Sequence, residues 1–329
     1  MVIGIGIGIS YGQRRRGDTL ASVIAALFAA GEKGAFFDLA PEYLFQDDAG
    51  TTPVAEPGQP VGFVTDRSGN DSHATQVTVE ARPEYLAGPD RMKLDTVDDN
   101  MSVDFGAPFS GTVFQGTPNG VIHYDVSVPS GNWNLTNHPA YVPDNGEITG
   151  LIAREGSLTI GEADAVKKYL RKNGAGDNFA GVTSMDSWFR GRSEITALYV
   201  EDWDTSSVGL LRDFVRDTGI TTLDISNWDT SSLVNFASFA RNSSLTTVIV
   251  NGGTGNPFAD SACTNYTNAF LGTNLTQQSI DDILVAIEQA GTSNGDFRQS
   301  GGSAPSATGE AAIDALRGRG WSISVTGGY

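Results

Sequence analysis

One cysteine, Cys263, stands in 329 residues, so no disulfide can form within the chain. A catalytic thiol needs a neighbouring base, and none accompanies Cys263 in the sequence. Its place in an apolar ladder marks it as a small buried hydrophobe. Basic residues are scarce: Lys plus Arg number 21 against 39 Asp plus Glu, a formal net charge of −18. That balance excludes a phosphate-tracking surface, so no nucleic-acid partner is expected. It suits a strongly hydrated exterior. Long apolar runs are also missing. The apolar stretch near residues 20–30 is too short to cross a bilayer, and no membrane insertion is expected. P-loop, GxSxG, HExxH and CxxC patterns are absent, and His73, His123 and His138 are scattered along the chain. The expectation is a protein that is not an enzyme and has no cofactor and no metal.

A repeat is present. Ile195 to Val208 returns as Ile220 to Leu233, an offset of 25 residues, and a third copy starts at Leu245 and decays after Asn251. A period in the twenties marks a solenoid of leucine-rich type, with one short strand per turn. Ile195, Leu198, Val200 and Trp203 stack under Ile220, Leu223, Ile225 and Trp228. A second apolar set follows each turn: Val208, Leu211, Phe214, then Leu233, Phe236, Phe239. Val182, Met185 and Trp188 upstream, and Cys263, Tyr266 and Ala269 downstream, extend it to about four coils. Asp224 to Ser232, which reads DISNWDTSS, resembles the unit of BspA-like leucine-rich repeats, also known from a mycoplasma-lipoprotein-like family. Val182 to Phe189 is similar to its second half. The resemblance covers about a quarter of the chain and implies surface binding and adhesion, with no named ligand.

The N-terminus alternates strictly, Ile3, Ile5, Ile7 and Ile9 against glycines. This is strand periodicity, and alone it would be an unpaired edge. Ile3, Ile5, Ile7 and Ile9 are therefore expected to anchor the arm on other chains, with Arg14 to Arg16 clamping an acidic partner. Asp18 caps a helix whose apolar face is Leu20, Val23, Ile24, Leu27 and Phe28. A signal peptide is the rival reading, but the arginines follow a β-patterned segment. Between residues 44 and 83 stand LFQDDAGTTPV, GQPVG, DRSGNDSHATQ and ARP. This run resembles a module near the N-terminus of many tailed-phage and prophage tail or fibre proteins. Leu94 to Val103 resembles a strand that often follows it in lectin-like sandwich domains. Asp66, Asn70 and Asp71 offer oxygen ligands in principle, but an Asx-turn fits them better. His73 is expected to fix that loop by a hydrogen bond. Asp98 and Asp99 fit a glycosidase pair poorly, because neighbours on a strand face opposite sides.

Beyond residue 103 apolar and polar positions alternate between Pro, Asn and Gly turns, an all-β pattern. Thr159 to Glu162 is a capping box opening a helix that stops at Gly174. Helices are also expected over 276–290 and 309–317, with a closing strand at 321–325. The expected fold is mainly β with short helices. It divides into an anchoring arm and helix (1–33), a lectin-like β-rich domain (34–158), a linking helix (159–176), the solenoid (177–272) and an α/β cap (273–329).

The expected function is a structural protein of a phage virion, a tail fibre or a head fibre or decoration protein, located in the virion. Its partners would be other virion proteins, copies of itself in a homotrimer, and a host cell-surface glycan or protein. The apolar face of the 18–30 helix would line the threefold axis. The alternatives are a virion-borne glycan depolymerase and a bacterial surface adhesin. On the repeat strands, side chains between ladder positions face outward. Tyr199, Glu201, Asp224, Ser226 and Asn251 are the candidate binding residues on that face.

Overall fold

The computed structural model describes residues 24, 26–95, 98–134, 146–251 and 255–329. The arm with Ile3, Ile5, Ile7 and Ile9 lies outside the described residues. The described residues of the first half form twelve strands among turns. They are β1 (Gly34–Asp38), β2 (Leu44–Phe45), β3 (Phe63–Val64), β4 (Ala74–Thr75), β5 (Glu84–Leu86) and β6 (Arg91–Lys93), then β7 (Ser102–Asp104), β8 (Phe109–Gly116), β9 (Val121–Val128), β10 (Asn132–Asn134), β11 (Glu147–Ile148) and β12 (Gly150–Glu155). Helix α1 (Ile160–Lys172) follows. The second half adds β13 (Ile195–Tyr199), β14 (Thr222–Asp224), β15 (Thr247–Ile249), β16 (Asn265–Leu271), α2 (Gln277–Gln289), β17 (Asp296–Ser300), α3 (Ala307–Gly318) and β18 (Ser322–Ser324). Among the described residues the fold is mainly β with three short helices, as the alternation and the capping signals indicate.

One antiparallel sheet has the order β1-β12-β8-β9-β13, and a second has β10-β7-β4-β3-β2. Alternation gives the first sheet two apolar faces. Phe37, Val113, Tyr124 and Leu151 share a core with Leu44, Val64, Val103 and Trp133 of the second sheet. Phe36, Phe114 and Ile152 point the other way and pack under Val166, Tyr169 and Leu170 of α1. The Tyr169 hydroxyl donates to Asp38 Oδ2 at 2.7 Å, and Arg67 pairs with the same carboxylate. Ile24, Leu27 and Phe28 belong to this second core, 0 to 7% exposed. That corrects the expectation for the N-terminal helix. The described part of its apolar face is spent inside the chain and is not available to line a threefold axis; Leu20 and Val23 lie outside the described residues.

In the second half, backbone bonds run between successive turns. The N–H groups of Met185, Ser187, Phe189 and Gly191 donate to the carbonyls of Leu210, Arg212, Phe214 and Arg216. Leu211, Asp213, Val215 and Asp217 do the same to Asn235, Ala237, Phe239 and Arg241. Phe236, Ser238, Ala240 and Asn242 then donate to Asn265, Thr267, Ala269 and Leu271 on β16. Ser187, Asp213, Ser238 and Asn268 occupy equivalent rungs and all have φ between 55° and 62°, a left-handed conformation that Asn and Asp tolerate best. On the strand side, β14 pairs with β15 in parallel, Leu223 opposite Val248, the offset of 25 that the sequence repeat shows. β16, β17 and β18 form a parallel sheet closed by α2 and α3.

β13 departs from the expected array. It pairs antiparallel with β9 in the first sheet, Leu198 opposite Tyr124 and Tyr199 opposite His123, and not with β14. The join is tight elsewhere too. A Cβ on Gly120, in the β8–β9 turn, would fall 2.5 Å from the Phe179 ring. Arg192 is 4% exposed, paired with Glu194 at 2.5 Å, and lies over the Tyr124 ring.

Candidate functional site: a groove where the repeats meet the sheets

The pairing of β9 with β13 completes one cross-strand row: Phe36, Ile152, Phe114, His123, Tyr199. Helix α1 covers the first three. At the far end His123 and Tyr199 are half-buried and emerge at the surface. The rings of Phe114, His123 and Tyr199 stack in sequence, with centroids 4.1 and 4.0 Å apart and planes within 15°. Next to this stack is a solvent-open groove of about 270 Å³ between α1 and β13. Tyr199, Glu201 and His123 line one wall. Ile160, Asp164 and Lys167 of α1 line the other. The capping box sets that wall. Thr159 Oγ1 accepts from the Glu162 N–H, and Glu162 Oε2 accepts from the Thr159 N–H at 2.8 Å, which fixes where the helix begins.

A second cavity of about 280 Å³ continues over β8 and β9 and shares Thr112 and Ser157 with the first. Asp125 lines this second cavity and bonds two residues of the first. Its Oδ1 accepts from Thr112 Oγ1 at 2.7 Å and its Oδ2 from the Tyr199 hydroxyl at 2.9 Å. Burial, followed by the charge and hydrogen bond of Asp125, pushes the Tyr199 phenol up to about 12. Burial drives His123 down to about 3, and the positive charge of Lys167 adds to this while Asp202 opposes it. The imidazole is therefore neutral across the physiological range. Lys167 is tied to Asp202 at 2.8 Å. Asp164 and Glu201 are exposed and hold no side-chain hydrogen bond or ion pair among the described residues. The groove thus offers an aromatic edge, a neutral imidazole, hydroxyls and two unpaired carboxylates.

Of the residues chosen from sequence, Tyr199 and Glu201 enter this groove. Asp224, on β14, is half-buried and accepts from the Ser226 N–H at 3.0 Å. Ser226 is 4% exposed, so it does not face outward as expected. Asn251 is exposed and lines neither cavity of the groove. The structure therefore does not bring the five together on one open sheet. His123, Asp125, Thr112, Asp164 and Lys167 were not singled out in the sequence. Alternation along β9 does place His123 and Asp125 on one face; nothing in the sequence couples that face to β13.

The loop around Asp66 and His73 is tied up by its own backbone. Asp66 accepts from the backbone of Phe36, Ser68 and Ser72, and His73 Nδ1 accepts from the Asp66 N–H, the loop-fixing bond expected. Asp95, Asp98 and Asp99 place carboxylate oxygens within 4.8 Å of one another. Those of Asp95 and Asp99 accept backbone N–H groups of the same turn. Asp98 is exposed and Asp99 buried, which does not make a facing acid pair. Cys263 is 2% exposed, and burial pushes its thiol up.

The model of one family matches residues 167–283: a Mycoplasma protein of unknown function, DUF285. The match runs from the middle of α1 into α2 and includes Lys167, Tyr199 and Glu201, but not His123 or Asp125. No curated protein matches, and no solved structure does.

Proposed function

We propose that the chain is a structural protein of a phage virion, a tail fibre or a head fibre or decoration protein. In this reading the N-terminal arm with Ile3, Ile5, Ile7 and Ile9 anchors it to other virion proteins, and the remainder faces the host surface. The phage-like run between residues 44 and 83 supports the location. The between-turn backbone bonds over 185–271 support a leucine-rich-type solenoid, seated on a lectin-like pair of sheets.

The observation that carries the binding role is the groove, where a stacked Tyr199 and His123 stand beside hydroxyls and carboxylates. Concave sites with an aromatic wall and few polar groups suit small ligands and sugar rings. Both oxygens of Asp125 are engaged by Thr112 and Tyr199, which fixes the Tyr199 ring in the wall, and the reading is attachment. Copies of the chain associate as a homotrimer in this account. Purified chain added in excess should block adsorption of the particles to their host, and mass spectrometry should detect the chain in purified particles. Undiminished adsorption, or particles without the chain, contradicts the proposal.

A further inference from the structure

The groove has a charge preference. Asp164 of α1 and Glu201, just beyond β13, both line it. Neither has a cationic partner among the described residues, because the nearby cation, Lys167, is held by Asp202. His123 adds no positive charge there. An anionic ligand would meet two unpaired carboxylates, and a cationic one would neutralise both. The Tyr199 ring and the 85% exposed Ile160 give apolar contact on either side, and an ammonium beside an aromatic ring gains further. Past Thr112 and Ser157 the second cavity is lined by Ser110, Ser127 and Thr196 hydroxyls with Gly111 and Gly156 between them. Small residues and hydroxyls in a row match a polyhydroxyl chain better than a peptide with bulky side chains.

We propose that the groove takes an amine-bearing sugar unit of a surface polysaccharide, its ammonium between Asp164 and Glu201, its ring beside Tyr199, and its chain continuing past Thr112 and Ser157. This rests on the reading of the groove as the host-binding site. The full chain is titrated by calorimetry with tetramers of glucosamine, N-acetylglucosamine and glucose, at about pH 6 where the amine is charged. The glucosamine tetramer should bind about tenfold more tightly than the other two. The double variant Asp164→Asn/Glu201→Gln should lose about that factor with its thermal midpoint unchanged, since both side chains are exposed and unbonded. Removing equal charge at exposed Glu56 and Glu80 by Glu→Gln should leave affinity unaltered, which separates the groove from the general pull of the acidic surface. Equal affinity for the three tetramers overturns the inference. So does an equal loss in the Glu56/Glu80 variant, or no binding of the glucosamine tetramer. A neutral tetramer that binds best and is lost with Tyr199→Ala overturns the amine preference while leaving host attachment standing. Host attachment fails separately, if excess chain does not block adsorption.

Discussion

His123 titrates against its surroundings. Folding holds its imidazole at about 3, below the ordinary value near 6.5, because the charged form would be desolvated between Phe114 and Tyr199. The sign follows from proton counting. Above about pH 6.5 both states are neutral and the site costs nothing. Between there and about pH 3 the unfolded chain takes a proton that the folded chain refuses, so stability falls as pH falls. His123→Phe keeps a ring in the stack and removes the titration. Unfolding by urea at pH 7 and pH 4 should show wild type losing more stability than the variant, at most about 1.4 kcal/mol per pH unit. Parallel losses contradict this account of the stack. At the same scale, Tyr199 shows what sequence could and could not supply. Its place between ladder positions marked it as a surface side chain. Its bond to Asp125, 74 positions earlier, depends on a strand pairing that no local pattern encodes.

Local signals were readable wherever an element is specified by its own residues. The capping box at Thr159 marks a helix start in the sequence and in the structure, and α2 begins at its Thr276 cap, the first residue of the expected 276–290. Helix α3 starts after its Ser306 cap, ahead of the expected 309, because that cap bonds the Thr308 N–H with no glutamate three residues on to signal a capping box. The period of 25 gives the β14–β15 register directly. β13 escapes this logic. Its sequence is a repeat strand, yet its backbone partner is β9, because it lies against the β9 edge of the first sheet and an edge strand recruits a neighbour. A bulge between Ile195 and Ala197 absorbs the mismatch between the two registers. Helix α1 forms the other wall of the groove, so its start matters. Thr159→Ala removes the cap that accepts the Glu162 N–H and should cost about 1 kcal/mol. Chemical denaturation would measure this; a change below a few tenths would show that tertiary packing alone fixes the helix start.

A single apolar cluster runs from Ala35 in β1 to Val325 beyond β18, through both sheets, the repeat turns and the cap. Aromatic contacts continue along it from Phe179 through Trp203, Phe214, Phe239 and Phe270 to Phe297. With β13 shared between the first sheet and the repeats, the second half should not melt apart from the first. Leu223 is 1% exposed, and Leu223→Ala should cost roughly 2–5 kcal/mol. Far-UV circular dichroism and tryptophan emission should then shift together in one earlier transition. Two separated transitions would mean that the repeats and sheets are energetically independent, and that the groove between them is not rigid. The most direct test of the groove as the host-binding site is the adsorption rate of particles carrying Asp164→Lys/Glu201→Lys. These exposed changes leave the core untouched and reverse the charge of both groove walls. The account predicts a fall of about tenfold or more with normal particle assembly; adsorption at the wild-type rate would contradict it.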